Sequence, residues 1–527
     1  MGATIKLTRE QVAARILKGE HIVIYNQQAI RVPDSWLDIH PGGFLTILHF
    51  IGRDATDEIQ AYHDDDTLKR LQKFAIGTVD GLWQPLQPPI MTGWRRRPVG
   101  PNGQREWVKE GDTLITKEDT DLSPSAQVLL VEKQPGGPSL PNLIPPPSSL
   151  NLKQEAQHSA AYRKLHQRVK EAGLYKTPFI TGYGPELARY LLFSGLSAYA
   201  YFNNWLFTSA VFLGMFWHQL VFTCHDLGHR GVTADVTWDR LISVFLADFV
   251  GGLSIGWWVD SHNVHHLVTN HPSHDPDIQL LPFFAVTPDF VHNIWSTYYQ
   301  RIIEFDAFSK LAIQVQHKIF YIILGLARFN LYANSYGFLF RSIFDRALSK
   351  GTRWSFRLEL VGLAFFWTWF IALLYGCGSW KMAFMYVMVS HIVTSPLHVQ
   401  IVLSHYSMST ADMGPTESFP RRQLRTTTDV TCPPSLQFLH GGLHLQVTHH
   451  LFPRLPRHNL RAASALVKVF AKEQGLTYNE FGFVEGNKDV VNHLRGVAEQ
   501  IAILGRVAEA EVREQLEVHN GKGIKAL

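Results

Sequence analysis

The sequence predicts a multidomain protein, in which an N-terminal α+β domain is joined by a proline-rich linker to an all-α integral membrane domain. Three observations support this fold class. Hydrophobic residues form 46% of the 527-residue chain and charged residues only 18%, below the ~25% typical of soluble domains. Nearly uncharged stretches of helical length lie beyond residue 185. Twelve of the 27 prolines fall between residues 81 and 150.

The first domain is predicted to span residues 5–80. The β-branched runs Ile22–Ile24 and Ala29–Val32 flank Asn26-Gln27, a pattern typical of a β-hairpin. Short amphipathic helices are expected up to Gly77. The first residues of the chain carry charges where a secretory signal needs an apolar core, so the N-terminus is predicted to stay in the cytosol.

Residues 81–155 are predicted to form the linker, because their prolines and polar residues are typical of a flexible, partly extended tether. The membrane domain is expected over residues 185–485, followed by a helical C-terminal tail over 486–527. The net charge of +4 is small for this length, which gives no support to a nucleic-acid partner. The three cysteines are widely spaced and predict neither a disulfide framework nor a metal pair.

About four membrane-spanning helices are predicted. The almost uncharged stretch Tyr190–Phe222 is interrupted by Asn203-Asn204 and suits two short spans. A second pair is predicted at 358–376 and 382–404. Basic residues lie on both flanks of that pair, among them Arg357 before it and Arg421 after it, so both flanks are predicted to be cytosolic.

The apolar segment Leu241–Trp258 is not counted as a fifth span. It contains Asp248, and a crossing there would place the histidine motifs on either side of it on opposite membrane faces. We expect this segment to lie in the interface or to re-enter on the same side. The apolar stretch 318–340 includes Arg328 and is predicted to be interfacial.

One histidine pair stands in the first domain. His40-Pro41-Gly42-Gly43 lies in a predicted loop, and His63 follows 23 residues later. Two imidazoles from two loops can ligate a heme iron axially, and the glycines allow the backbone to approach the porphyrin edge. By itself the motif is also compatible with a plain helix-entry turn.

The run HPGGFLTILHFIGRDATDEIQAYHD, with the preceding Trp36-Leu37, resembles the cytochrome b5 family over residues 5–80. The resemblance implies that His40 and His63 are the axial ligands of a heme b. His49 lies off the pattern and is expected at the surface or in packing. A bis-histidine heme has no open position for a substrate, so the domain is expected to pass single electrons.

Most of the remaining signal comes from three histidine groups in the membrane part. Histidines spaced three or four residues apart share one face of a helix, so each group can present a row of ligands. The three groups, called histidine boxes below, contain seven histidines, which is more than one zinc ion needs and suits two metal ions. Ligand type alone does not distinguish zinc, copper and iron. A neighbouring electron carrier favours a redox metal, best iron. The groups are His225–His229, His262–His266 and Gln446–His450.

These three boxes resemble those of the membrane fatty-acid desaturase family over about residues 185–485. The fused heme domain and Gln446, in GGLHLQVTHHLFPRLPRHNL, are similar to front-end acyl and sphingolipid desaturases, and most similar to fungal Δ8 sphingolipid desaturases. The resemblance implies two non-heme iron ions and the ligands His225, His229, His262, His265, His266, His449 and His450, with His405 as a further ligand.

The sequence does not decide between alternative roles for three further kinds of polar residue near the boxes. Gln446 either ligates weakly or orients a water. His444 is a partner of a ligand, a substrate contact or a packing residue. The carboxylates Asp226, Asp275 and Asp277 can accept hydrogen bonds from ligand imidazoles, although a solvated loop explains the last two almost as well.

The reaction implied by the resemblance is O2-dependent desaturation, in which electrons relayed through heme support removal of two hydrogens from adjacent methylenes. The expected substrate is the long-chain base of a ceramide, desaturated at Δ8, and the alternative is a Δ5 or Δ6 acyl-lipid chain. Because the chain shows neither a GxGxxG after a strand nor a flavin motif, electrons are expected from NADH-cytochrome b5 reductase. The expected location is the endoplasmic reticulum membrane, with both termini and the active site cytosolic.

Two rival functions remain at the level of sequence. A hydroxylase on the same metal scaffold would insert oxygen instead of forming a double bond. A membrane-anchored electron carrier would bind heme but no second metal, and its membrane histidines would be structural. Loss of function on substitution of His449 distinguishes the enzymes from the carrier.

Overall fold

A computed structural model describes residues 5–99, 104–110, 136–344 and 353–519. Much of the predicted linker, and the end of the predicted tail beyond residue 519, lie outside these ranges. Within them the chain forms a small α+β domain followed by a helical domain. The fold class predicted from the sequence is confirmed.

The first domain is built on a three-stranded antiparallel sheet. The predicted hairpin is confirmed: His21 pairs with Val32 and Tyr25 with Gln28. Asn26 and Gln27 form its two-residue turn with φ of 46° and 60°, as such hairpins require. The strands are β1 (His21–Tyr25), β2 (Gln28–Val32) and β3 (Ala75–Thr78), and the helices are α1 (Arg9–Leu17), α2 (Asp34–Ile39), α3 (Leu45–Leu48), α4 (Thr56–Tyr62) and α5 (Asp65–Leu71).

The described parts of the predicted linker differ from the expected flexible tether. Strands β4 (Trp94–Val99) and β5 (Gln104–Lys109) form an antiparallel hairpin. Trp107 donates its indole N–H to the carbonyl of Leu17 at 3.2 Å, and Arg105 forms an ion pair with Asp38. Aromatic and β-branched residues between the prolines allow this pairing, which an average over composition hides.

The first two helices of the predicted membrane domain form a tight antiparallel hairpin. They are α7 (Gly184–Phe202) and α8 (Leu206–Gly228), and they turn at Asn203-Asn204 as predicted, with Asn204 at φ 59°. Before them, α6 (Leu152–Glu171) packs beside the first domain, where Arg163 pairs with Asp57 at 2.8 Å.

Three described helices are long and apolar enough to cross a membrane: Leu206–Gly228, Trp354–Tyr375 and Trp380–Leu403. The segments Val236–Val250 and Ile255–Leu267 together form a fourth candidate that bends by 114° at its break. The predicted span in Gly184–Phe202 is not among these candidates, and its first turns carry Glu186 and Arg189. The counted spans therefore number three or four.

The remaining elements surround the histidine motifs. The region predicted to be interfacial forms two helices, and the buried Arg328 donates to the carbonyl of Gly251 at 2.6 Å. The predicted tail is helical and begins at Phe483. In chain order the elements are α9 (Val236–Val244), α10 (Ile255–Leu267), β6 (Ile294–Ser296), β7 (Arg301–Ile303), α11 (Ala307–Gln314), α12 (Gln316–Gly325), α13 (Ala327–Phe344), α14 (Arg353–Tyr375), α15 (Trp380–Ile392), α16 (Ser395–Leu403), α17 (Phe419–Thr426), β8 (Asp429–Thr431), α18 (Gln437–His440), α19 (Gln446–Leu451), α20 (Leu460–Gln474), β9 (Glu480–Gly482) and α21 (Phe483–His519).

Candidate metal centre and heme pocket

Four imidazoles from all three histidine boxes meet at one point. The ring nitrogens of one group lie within 4.8 Å of one another. Helix α8 ends at this point, α10 contributes one turn, and the short α19 supplies the last member. The ring centroids of His225 and His449 are 4.5 Å apart. The first metal group comprises His225, His229, His262 and His449.

A second group lies beside the first. His265, His405 and His450 bring their ring nitrogens within the same 4.8 Å limit. His266 stands between the two groups: its Nε2 is 3.1 Å from Nε2 of His262 and 3.1 Å from Nε2 of His449. The eight predicted histidine ligands are therefore brought together, in an arrangement that offers two neighbouring positions for metal.

Several imidazoles are held by an acceptor on Nδ1. His265 donates from Nδ1 to Asp275 at 2.9 Å, and His450 donates to the amide oxygen of Gln423 at 3.0 Å. Such contacts fix the tautomer and leave Nε2 with a free lone pair, which is the usual arrangement of metal-bound histidine. In two longer contacts Nδ1 of the histidine also faces an oxygen acceptor: His225 faces Asp226 at 3.4 Å, and His405 faces the Thr426 carbonyl at 3.3 Å.

The donor set fits a transition-metal cation. Both ring nitrogens of His229, Nε2 of His450 and the side-chain oxygen of Gln446 are buried without a hydrogen-bond partner among the described residues. Unpaired buried polar atoms are costly, and here they belong to nitrogen-rich groups whose ligand atoms converge. A cation bound among them would satisfy these lone pairs, and imidazole suits iron, zinc and copper.

The other predicted polar residues have distinct places. Gln446 is 4% exposed and lines a cavity together with His225 and His405. His444 is buried, belongs to neither metal group and has its ring centroid 5.7 Å from that of His440. Asp277 has an oxygen 3.7 Å from Nδ1 of both His262 and His265, too far for a hydrogen bond.

An apolar cavity leads to the two metal groups. Its walls include hydrophobic side chains from α8, α10, α12 and α16, and box histidines are also among the residues that line it. A cavity with apolar walls and few polar groups suits an alkyl chain. The side chains that define it are Leu220, Leu246, Ile255, Leu324, Ile401 and His262.

A buried charge network supports the first box. Arg457 donates to Asp226 at 2.6 Å and also pairs with Glu186. Tyr183 donates its hydroxyl to the same Asp226 carboxylate at 2.6 Å. Since Asp226 also contacts His225, this network fixes the end of α8 on which the first box stands.

In the first domain, His40 and His63 face each other across a cavity. Their ring centroids are 6.0 Å apart, a separation that accommodates a metal with imidazole bonds of about 2 Å. Nδ1 of His40 donates to the Gly43 carbonyl at 3.0 Å, and Nδ1 of His63 to that of Ile59 at 2.9 Å. Burial lowers the pKa of His40 to about 4 and that of His63 to about 3, so both stay neutral and able to ligate.

The paired histidines lie against the membrane domain. A Cβ placed on Gly43 would come within 2.5 Å of the Asp260 carboxylate on α10. Tyr62, next to His63, has its ring centroid 6.4 Å from that of His266. His49 is 1% exposed and packs on His274 of the membrane domain, with ring centroids 5.0 Å apart.

Several supporting residues escaped the sequence analysis. Gln423 accepts from His450 and donates to the His266 carbonyl at 2.9 Å, and Trp258 stacks on His262 with centroids 4.3 Å apart. Neither residue belongs to a box, and no local spacing in the sequence marks them. Arg457 follows the third box in PRLPRHNL, where its charge was the only available signal.

The fold and these two sites define a class of protein: a membrane oxidoreductase with its own electron-transfer domain. The chain belongs to the fatty acid desaturase family. A model described as fatty acid desaturase matches residues 203–482, and one described as cytochrome b5-like heme/steroid binding domain matches residues 8–80. These families imply heme in the first domain and iron in the second.

Similar proteins cover nearly the whole chain. A Delta 8-(E)-sphingolipid desaturase of Emericella nidulans is 42% identical over 94% of this chain and 95% of its own length. One from Kluyveromyces lactis is 42% identical over 99% and 98%. A Delta(8)-fatty-acid desaturase 2 of Arabidopsis thaliana is 34% identical over 88% and 87%.

Proposed function

We propose that this protein is a Δ8 sphingolipid desaturase, which forms a double bond in the long-chain base of a ceramide. The observation that carries the proposal is the meeting of all three histidine boxes beside a mainly apolar cavity that they help to line. The similarity to fungal Delta 8-(E)-sphingolipid desaturases over nearly the full chain supports the choice of substrate.

Two iron ions are proposed for the membrane domain. His225, His229, His262 and His449 would hold one ion, and His265, His405 and His450 the other, with His266 between them and Gln446 beside them. Iron supplies the oxygen chemistry needed to break unactivated C–H bonds, which side-chain acid–base chemistry cannot do. The acceptors Asp275 and Gln423 keep the imidazoles turned toward the metal positions.

A heme b is proposed between His40 and His63, where it would supply single electrons. The electrons are proposed to come from NADH through a separate reductase, with O2 as the oxidant. The apolar walls of the cavity would hold the alkyl chain in register and keep water from the box histidines, so that one pair of methylenes lies beside them.

The protein is proposed to reside in the endoplasmic reticulum membrane, with its termini and active site on the cytosolic side. The path of the chain between the first two boxes supports one part of this proposal, namely that the boxes share one membrane face. The chain leaves at His229 and returns at His262, with ring centroids only 5.1 Å apart, through a segment that bends by 114°. Such a path suits re-entry on one face.

The test is expression of the full chain in a yeast that lacks Δ8 desaturation, beside His449→Ala and His292→Ala variants. Hydrolysed long-chain bases and fatty acids are then profiled together by mass spectrometry. The wild-type chain is expected to produce a base two mass units lighter. His449→Ala should abolish it, whereas His292→Ala should not, because His292 is exposed and outside both metal groups.

Each other result points to a different function. New polyunsaturated acyl chains would replace the substrate with an acyl lipid, and a gain of sixteen mass units would indicate hydroxylation. Heme-loaded protein that changes no lipid in the presence of its reductase would contradict the enzyme and favour an electron carrier. Activity retained in His449→Ala would contradict the assignment of the metal centre.

A further inference from the structure

The cavity around His40 and His63 is closed on one side by the membrane domain. Its walls include Trp36 and Tyr62 from the first domain, and Arg230 and Arg240 from the membrane domain. The heme site is therefore not confined to the first domain, and the second domain contributes two cations to it.

These two arginines lack partners of their own. Within the described ranges, the side chains of Arg230 and Arg240 form no hydrogen bond or ion pair, and Nη1 of Arg240 is buried and unpaired. Arg230 also lies close enough to Arg240 and Arg454 for their positive charges to repel one another. Like charges held together beside a cavity indicate an anionic ligand.

Two carboxylates lie near these arginines. Asp64 accepts from the backbone N–H of Thr67 at 2.7 Å. Asp239, which also lines the cavity, accepts through Oδ1 from the N–H and hydroxyl of Thr233 at 2.9 and 2.7 Å, and its Oδ2 is buried without a partner. Neither carboxylate forms a described ion pair with either arginine. The cations that face the cavity are thus available to a ligand within it.

Heme b carries two propionate carboxylates, and guanidinium groups bind carboxylates through paired, charge-assisted hydrogen bonds. We propose that Arg230 and Arg240 bind the propionates of the heme, so that the membrane domain completes the heme site of the first domain. The inference rests on the proposed heme ligation by His40 and His63.

This arrangement has a redox consequence. Cations beside the propionates offset their negative charge, and reduction of the heme adds a further electron. The two arginines therefore favour the reduced heme and raise its midpoint potential. They also hold the heme in one orientation relative to α10 and the metal groups.

The test uses the purified full-length protein, loaded either with heme b or with its dimethyl ester, in which both propionates are neutral. Wild type is compared with the double variant R230Q/R240Q and with Arg454→Gln as a matched control, because Arg454 lies near Arg230 but does not line the cavity. The readouts are the midpoint potential and the rate of heme transfer to apomyoglobin.

With heme b, the double variant is expected to have a lower midpoint potential and about tenfold faster heme loss. With the dimethyl ester, the double variant and wild type should be alike, because the carboxylates are gone. R230K/R240K should keep the higher potential. If R230Q/R240Q does not fold, the single glutamine variants are measured in the same way.

An equal effect on both hemes, no effect on either, or an equal effect of Arg454→Gln would overturn the proposal. A wild-type protein that lacks the absorption spectrum of bis-histidine heme would overturn the heme ligation itself, and with it this inference. A normal wild-type spectrum with variants that behave like wild type would overturn the arginine contacts alone.

Discussion

Nδ1 of His265 lies 2.9 Å from a carboxylate oxygen of Asp275, and both side chains are buried. The same carboxylate accepts the backbone N–H of Asn270 at 2.7 Å and that of Asp277 at 2.9 Å. The turn after α10 thus fixes the carboxylate, which in turn fixes the imidazole with its other nitrogen free for the second metal group.

Asp275→Ala is expected to lower iron affinity or turnover by about 10- to 100-fold, because the His265 ring loses its acceptor. Asp275→Asn should lose less iron affinity or turnover, since an amide oxygen still accepts the Nδ1–H of His265. Iron content by mass spectrometry and product formation measure the effect. Asp289→Ala is the control, as Asp289 is exposed in a short 3₁₀ helix and belongs to neither metal group. Wild-type iron content together with wild-type turnover in Asp275→Ala would contradict the role.

Arg457→Leu is expected to lower the free energy of unfolding by about 3–5 kcal/mol, because two buried carboxylates, Asp226 and Glu186, lose their shared cation. Arg457→Lys should recover part of the loss. Thermal unfolding of the detergent-solubilised protein measures the change. Exposed Arg495 provides the matched control Arg495→Leu, and equal unfolding midpoints of the Arg457→Leu and Arg495→Leu variants would refute the network's importance.

Gly43→Ala tests the contact between the candidate heme loop and α10. Gly43 has φ 83°, and its Cβ would meet Asp260, whereas Gly81 has φ 62° with nothing within 4 Å. Both substitutions add backbone strain of about 1–2 kcal/mol, but only Gly43→Ala also forces the Asp260 side chain at the interface to shift. Heme reoxidation in the presence of substrate should slow by about tenfold or more in Gly43→Ala.

Stopped-flow absorption follows that reoxidation, and heme content is measured on the same samples. Gly81→Ala should keep the wild-type rate. If both variants slow equally, backbone strain rather than the interface controls the rate.

The acidic residues at the domain interface predict a pH dependence. Burial raises the pKa of Glu58 to about 7 and that of Asp57 to about 6. An unfolded glutamate titrates near pH ~4.3, so the folded protein retains a proton that the unfolded chain loses. This stability is complete below pH ~4.3 and declines as the pH rises toward about 7.

The unfolding midpoint of wild type is therefore expected to fall as the pH rises from about 5 to about 7, and Glu58→Gln should flatten that fall. Glu473→Gln is the control, because Glu473 is exposed. A Glu58→Gln variant with the wild-type slope would show that this carboxyl does not carry the dependence.

Local patterns were the part of the fold that sequence predicted well. The hairpin around Asn26-Gln27 and the break at Asn203-Asn204 depend on neighbouring residues, and both were found where expected. The histidine boxes are likewise short-range patterns, and helix periodicity already places their members on one face.

Contacts between residues far apart in the sequence could not be predicted from the sequence. Arg457 meets Asp226, 231 residues away, and Gln423 lies 27 residues from His450 with no spacing that links them. The linker hairpin was missed because prolines dominate the composition, while its pairing depends on individual residues such as Trp107. Long-range complementarity is visible only once the chain is folded.

The contact between the Gly43 loop and α10 also bears on the supply of electrons. Donor and acceptor are parts of one polypeptide and already touch, so transfer between them is a first-order step that does not depend on the abundance of a diffusing carrier. On the proposed electron path, free cytochrome in the same membrane would compete with this domain only for the reductase. Each copy of the protein therefore has its own electron donor in the same chain. Its rate of product formation depends on how fast that donor is reduced again.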